Sequence, residues 1–170
     1  LIGLFEASAL GDDHQRRVML LPYAGLLSLF SRSHAVIAGV VSHSLGVPCT
    51  IEEFVPRVID IPEGSLFRLG WTGTLGEDAL LGETVRDVTG RFAIRLGPLS
   101  LGRYRDLLPG RPERANLQRL LELMVREPLD WVTSLEIERG EAKGWGLGMA
   151  ELGWTSWLDP PGDRNIMVHI

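Results

Sequence analysis

The chain is poor in the residue types that carry chemistry. One cysteine, Cys49, excludes an internal disulfide and fits a reducing compartment. Its neighbours Pro48, Thr50 and Ile51 bring no cation beside the thiol, so it reads as a small apolar residue at the start of a strand. One lysine, Lys143, stands among arginines. Arginine suits carboxylate pairing and protein interfaces, although a GC-rich coding sequence produces the same bias. A net charge of −5 lacks the basic excess that a nucleic-acid-binding face needs. No apolar run reaches the length of a membrane span, and no cleavable leader pattern follows the apolar Leu1 to Phe5. The first residue is leucine rather than methionine, which suggests a fragment or a processed piece.

Catalytic and cofactor signatures are missing too. There is no phosphate-binding loop, dinucleotide fingerprint, nucleophile elbow or paired-histidine zinc helix. Four histidines are scattered. His34 and His43 share one expected helix, but nine positions place them about 13 Å apart along it, too far to share an ion. Glu52 and Glu53 are adjacent and would point to opposite faces of a strand, so they cannot act as a pair. The expectation is no enzyme, no cofactor and no metal.

What remains is the pattern of a globular chain, with 45% apolar and 23% charged residues over 170 positions. A helix is expected from Asp12 to Phe30, interrupted at Pro22. A second starts at a Ser33 cap, carries Val36, Ile37, Val40, Val41 and Leu45 on one face, and stops at Gly46. Cys49 to Ile61 reads as one extended segment with Pro56 at an edge or bulge, followed by a Pro62-Glu63-Gly64 turn. Leu66 to Gly76 reads as irregular.

Glu83 to Val88 and Arg91 to Leu96 read as two strands of a hairpin turned at Thr89-Gly90. In the second, Phe92, Ile94 and Leu96 alternate with Arg91, Ala93 and Arg95, as in a sheet with one packed and one wet face. Gly97-Pro98 is expected to break that strand. Ser100 then caps a short helix that Pro109-Gly110 ends. Pro112 opens a longer helix with Leu117, Leu120, Leu121 and Met124 on its apolar face, opposite Arg114, Gln118, Glu122 and Arg126. Leu135 with Ile137, and Ile166 with Val168 and Ile170, read as further strands. The fold class expected is α+β, with helices on a small antiparallel sheet and an irregular Gly/Trp-rich C-terminal segment. The expected organisation is a helical segment over residues 1–47 and an α+β region over 48–170, together one compact unit.

Three of the five tryptophans, Trp145, Trp154 and Trp157, lie close together among glycines. Exposed, they would anchor an interface; buried, they would be the core of a loop-rich subdomain. Candidate partner contacts are these three together with Arg86, Arg103 and Tyr104.

The order of several short segments resembles the TssG family, also called ImpH or VasB, of bacterial type VI secretion. Tyr23 to Leu27 is similar to the family's Tyr-Ala-Gly-Leu-Leu segment. Ser44 to Arg57 resembles its aromatic-Gly-Val-Pro-Val strand start followed by Phe-Val-Gly-Arg-Trp. Leu69-Gly70, Leu75-Gly76 and Leu81-Gly82 resemble its spaced Leu-Gly pairs. Val85 to Leu99 resembles its Val-Trp-Asp hairpin and Gly-Pro-Leu signature, Tyr104 to Gly110 its Tyr-x-x-Leu-Leu-Pro-Gly, and Leu152 to Leu158 its near-terminal Leu-Gly-x-x-x-Trp-Leu. The chain departs from the pattern at Pro56 and Val58, where Gly and Trp are usual, and at Arg86, where an aromatic is common. The resemblance implies a cytoplasmic structural subunit of the secretion baseplate. It implies assembly with TssF, a link to TssK and TssE, no catalytic activity, and an N-terminal half that this chain lacks. A stand-alone protein- or peptide-binding adaptor is the alternative, with a cryptic hydrolase behind it.

Overall fold

A computed structural model describes residues 20–28, 33–66, 74, 82–142, 151, 153–157 and 164–170. Leu21–Tyr23 is a 3-10 turn with Pro22 in its first positions, where the missing N–H costs nothing, and it leads into α1, Ala24–Ser28. The remainder of the first expected helix lies outside the described residues. The Ser33 hydroxyl accepts a hydrogen bond from the Val36 amide at 3.4 Å and starts α2, His34–Leu45. Gly46 closes α2 in the left-handed region, at φ 65°. Ile37, Val40, Val41 and Leu45 are its buried residues, as the helical spacing predicts.

The extended segment after Pro48 is two strands, not one. β1, Cys49–Glu52, and β2, Arg57–Asp60, belong to different sheets. Between them Phe54 takes φ 60°, a backbone state that turns the chain out of line, and Pro56 can donate no ladder hydrogen bond. β3, Thr84–Asp87, pairs back antiparallel on β2. β4, Arg91–Leu99, runs antiparallel to β1 in the other sheet. The expected hairpin of consecutive strands is therefore corrected: the turn at residues 88–90 passes the chain from one sheet to the next. Asp87 shapes that turn by accepting from the Thr89 amide at 2.9 Å and the Thr89 hydroxyl at 2.8 Å.

Gly97-Pro98 does not break β4 either. The strand runs through this cis peptide to Leu99, with a register shift between Leu96 and Leu99. Phe92, Ile94 and Leu96 are buried as the alternation predicts, but so is Ala93, because both faces of a central strand are partly covered.

Ser100 caps α3, Leu101–Asp106, and Pro112 opens α4, Pro112–Met124. These two helices cross over to β5, Asp130–Ile137, which lies parallel to β4. β6, Ile166–His169, returns antiparallel to β5. The larger sheet has the order β1-β4-β5-β6, so it is mixed rather than purely antiparallel. The fold is α+β, with a four-stranded mixed sheet, a two-stranded ribbon and helices packed on the larger sheet.

The core runs from Tyr23 and Leu27 through α2 to Ile94, Leu96, Leu117, Leu121, Leu135 and Ile137. Each such side chain, fully buried, contributes roughly 1.5–3 kcal/mol. Trp154, Trp157, Ile166 and Val168 pack against this cluster from its edge. None of the described helices is long and apolar enough to cross a membrane.

Candidate functional site

The five described candidate contact residues do not form one surface. Trp145 lies outside the described residues. Arg103, in the last turn of α3, donates to the Leu45 carbonyl and pairs with Asp106 at 3.5 Å. Its guanidinium thus satisfies the last carbonyl of α2, where a cation also complements the helix dipole. Tyr104 is fully buried, and its hydroxyl donates to the Trp154 carbonyl at 2.8 Å. Burial, with the Glu151 carboxylate adding to it, pushes the Tyr104 pKa up to about 12. Its ring lies 6.0 Å from that of Trp157, tilted by 52°. Tyr104, Trp154 and Trp157 thus come together as the seam that fastens the C-terminal segment to α3. Arg111, paired with Glu151 at 2.8 Å, reinforces it.

Arg86 is different. It stands exposed on β3, directly opposite Val58 of β2. These are two of the positions at which the sequence departs from the TssG pattern, and the fold makes them cross-strand neighbours. Around them is a surface that reading the sequence missed. Val58 is 71% exposed and Phe54 66%, with Ile59, Val85 and Val88 also open to solvent. The signal was present as apolar residues on both parities of Arg57–Asp60, which a ribbon with one packed face would not carry.

A single guanidinium ties this ribbon to the larger sheet. Arg57 donates to Asp87 at 2.8 Å and to Asp130, the first residue of β5. The Asp87 carboxyl is held down at about 2 by the Thr89 amide, then the Thr89 hydroxyl and Arg57. The hydrogen bond to Asp87 raises the Arg57 pKa in turn. Gly90 leaves room for this contact, since a Cβ there would fall 2.0 Å from the Arg57 Nη2.

Beside the edge strand β1 lies a depression of about 160 Å³, lined by His34, Ile37, Ile51, Phe54, Phe92 and Met124 among others. His34 Nδ1 is 3.1 Å from the Glu53 carboxylate, and both side chains are half exposed. Thr89, also on the lining, already uses its hydroxyl on Asp87. The arrangement offers an apolar dent with one half-exposed histidine–carboxylate contact. Among the described residues no group of histidine, cysteine or carboxylate side chains could hold a metal ion.

No curated protein matches the sequence. A chain in the TssK-TssF-TssG baseplate subcomplex of the type VI secretion system, solved by cryo-electron microscopy, superposes with a TM-score of 0.66 at 19% identity, covering 95% of this chain and 80% of that one. A chain in a structure of the type VI secretion baseplate complex superposes with a TM-score of 0.63 at 18% identity, covering 98% of this chain and 48% of that one. The present chain thus spans about half the length of the second. At these identities the likeness shows a shared fold. The family model for TssG of type VI secretion matches residues 1–159. That match covers nearly the whole sequence, and the chain belongs to the TssG family of type VI secretion.

Proposed function

We propose that this chain is part of a structural, non-catalytic subunit of the type VI secretion baseplate, acting by holding partners in place. The family match over residues 1–159 carries the reading. The two similar structures support it, being chains of baseplate assemblies, one of them with TssK and TssF. The proposed partners are TssF-like and TssK-like proteins, with a TssE-like protein joined in the same wedge. Its place is the cytoplasmic side of the inner membrane, reached through those partners rather than by insertion. An assembly role also accords with the chemistry. Among the described residues, the one histidine–carboxylate pair beside a pocket is open to water, and its neighbouring hydroxyl is already engaged.

Co-expression of the full-length protein with TssF-like and TssK-like proteins from the same genome tests the proposal. A single complex on gel filtration is expected, and separate elution of all three would overturn it. One observation favours a second reading, a peptide-binding adaptor: the apolar depression lies beside the edge strand β1, where an extended peptide could add a strand.

A further inference from the structure

The β2–β3 ribbon is the element that the core leaves unused. A two-stranded sheet alone is marginal in water, because it buries almost nothing. Here Val58 lies on one face, while Ile59 and Val85 oppose each other on the other face. All three are exposed, by 71%, 38% and 40%, and none belongs to the core cluster. At its base the ribbon is clamped through Arg57 to Asp87 and Asp130. Its far end is closed by the Ile61 amide bonding to the Glu83 carbonyl at 2.8 Å. Around that end stand Asp60, Glu63 and Glu83, all exposed. Among the described residues no arginine pairs with any of them.

We infer that this ribbon is a docking arm that enters an apolar cleft with a basic rim on a partner protein. The cleft receives Val58, Ile59 and Val85, and arginine or lysine side chains at its rim meet Asp60, Glu63 and Glu83. Charge selects the occupant. A second copy of this chain, at net −5, would bring like charge to an acidic end, and nucleic acid or an anionic membrane would do the same. A basic protein surface gains on both counts: it covers apolar area and neutralises the carboxylates. The inference rests on the assembly-subunit reading above and adds which surface is used and what chemistry receives it.

The test uses the full-length protein in its complex with the TssF-like and TssK-like proteins. The paired substitution V58D/V85D, and separately D60K/E63K/E83K, should each weaken recovery of one partner by about tenfold or more. The wild-type contact should weaken as salt rises, and the charge-reversed variant should lose that dependence. These are surface positions, but a photo-reactive residue placed at Val58 avoids reliance on folding of the variants. It should crosslink to a partner segment containing arginine or lysine, while the same probe at Gln118 on α4 should not. Crosslinks from position 58 only within this chain, or partner recovery unchanged in both variants, would overturn the docking arm and leave the assembly reading intact. Failure of the wild-type protein to form any complex would remove the assembly reading and the arm with it.

Discussion

Val58 and Arg86 face each other across the antiparallel ribbon of β2 and β3, a short apolar side chain against a long cation, both open to solvent. Cross-strand pairs are the unit of sheet stabilisation, and an aromatic pair contributes roughly 0.2–1 kcal/mol relative to a pair of alanines. Installing V58W with R86W should therefore raise stability by up to about that amount, read as a shift in the urea midpoint. The double variant should gain more than the two single variants summed. A purely additive result would mean that the two residues do not interact.

Tyr104 links α3 to the C-terminal segment through a hydrogen bond to the Trp154 carbonyl at 2.8 Å. Y104F keeps the ring in the core and deletes the donor. The expected cost is about 1 kcal/mol, with somewhat more if the carbonyl is left dry. Hydrogen exchange should speed up around residues 153–157 before the rest of the chain is affected. An unchanged unfolding midpoint would show that water replaces the phenol.

Two glycines should respond differently to alanine. A Cβ on Gly97, whose φ is 140°, would lie 2.4 Å from the Glu136 carbonyl of the neighbouring strand, and backbone cannot step aside. G97A should cost roughly 2 kcal/mol or more. At Gly90 the obstructing atoms are the ends of the Arg57 and Asp87 side chains. G90A should instead release Arg57 from Asp87 and loosen the ribbon, seen as faster exchange in β2 and β3 with a smaller change in global stability.

The clamp also has a pH signature. Asp87 titrates at about 2 in the folded chain against an ordinary 3.8, owing first to the Thr89 amide, then the Thr89 hydroxyl and Arg57. A carboxyl with a depressed folded pKa binds protons more readily when unfolded. Its contribution is therefore complete above about pH 4 and disappears as pH falls toward 2. D87N should flatten stability against pH in that window alone. Equal slopes for the wild type and D87N between pH 4 and 2 would contradict the assignment.

Cys49, at the start of β1, has its thiol pKa pushed up to about 11 by burial. At pH 8 the folded protein should react with a thiol reagent far more slowly than the same protein in denaturant. Equal rates would place the thiol in water.

Helix limits were legible because they are written locally. Ser33, Gly46, Ser100 and Pro112 act through their own hydroxyl, φ preference or missing N–H, and they stand where the helices begin or end. The buried faces of α2 and α4 followed from spacing for the same reason. Strand β5 was half hidden. Its first residues, Asp130 to Thr133, show no alternation, since a strand with neighbours on both sides has no single wet face. Tyr104 shows the limit for sites. A tyrosine between arginines reads as a surface contact, and only a segment fifty residues away covers it.

By itself the sequence determined the three helices from Ser33 onward, their buried apolar faces, the α+β class, the lack of catalytic motifs and the ordered segments that resemble TssG. Each depends on residues close together in the chain. Which strands pair was decided by tertiary structure alone. The positive φ at Phe54 and the turn at residues 88–90 send consecutive strands into separate sheets, and the α3–α4 crossover makes β4 and β5 parallel. That sorting leaves Val58 and Arg86 in solvent and turns two separate departures from a family pattern into one surface. Register is a relation between distant segments, fixed by which faces can be covered at once, so no local signal carries it.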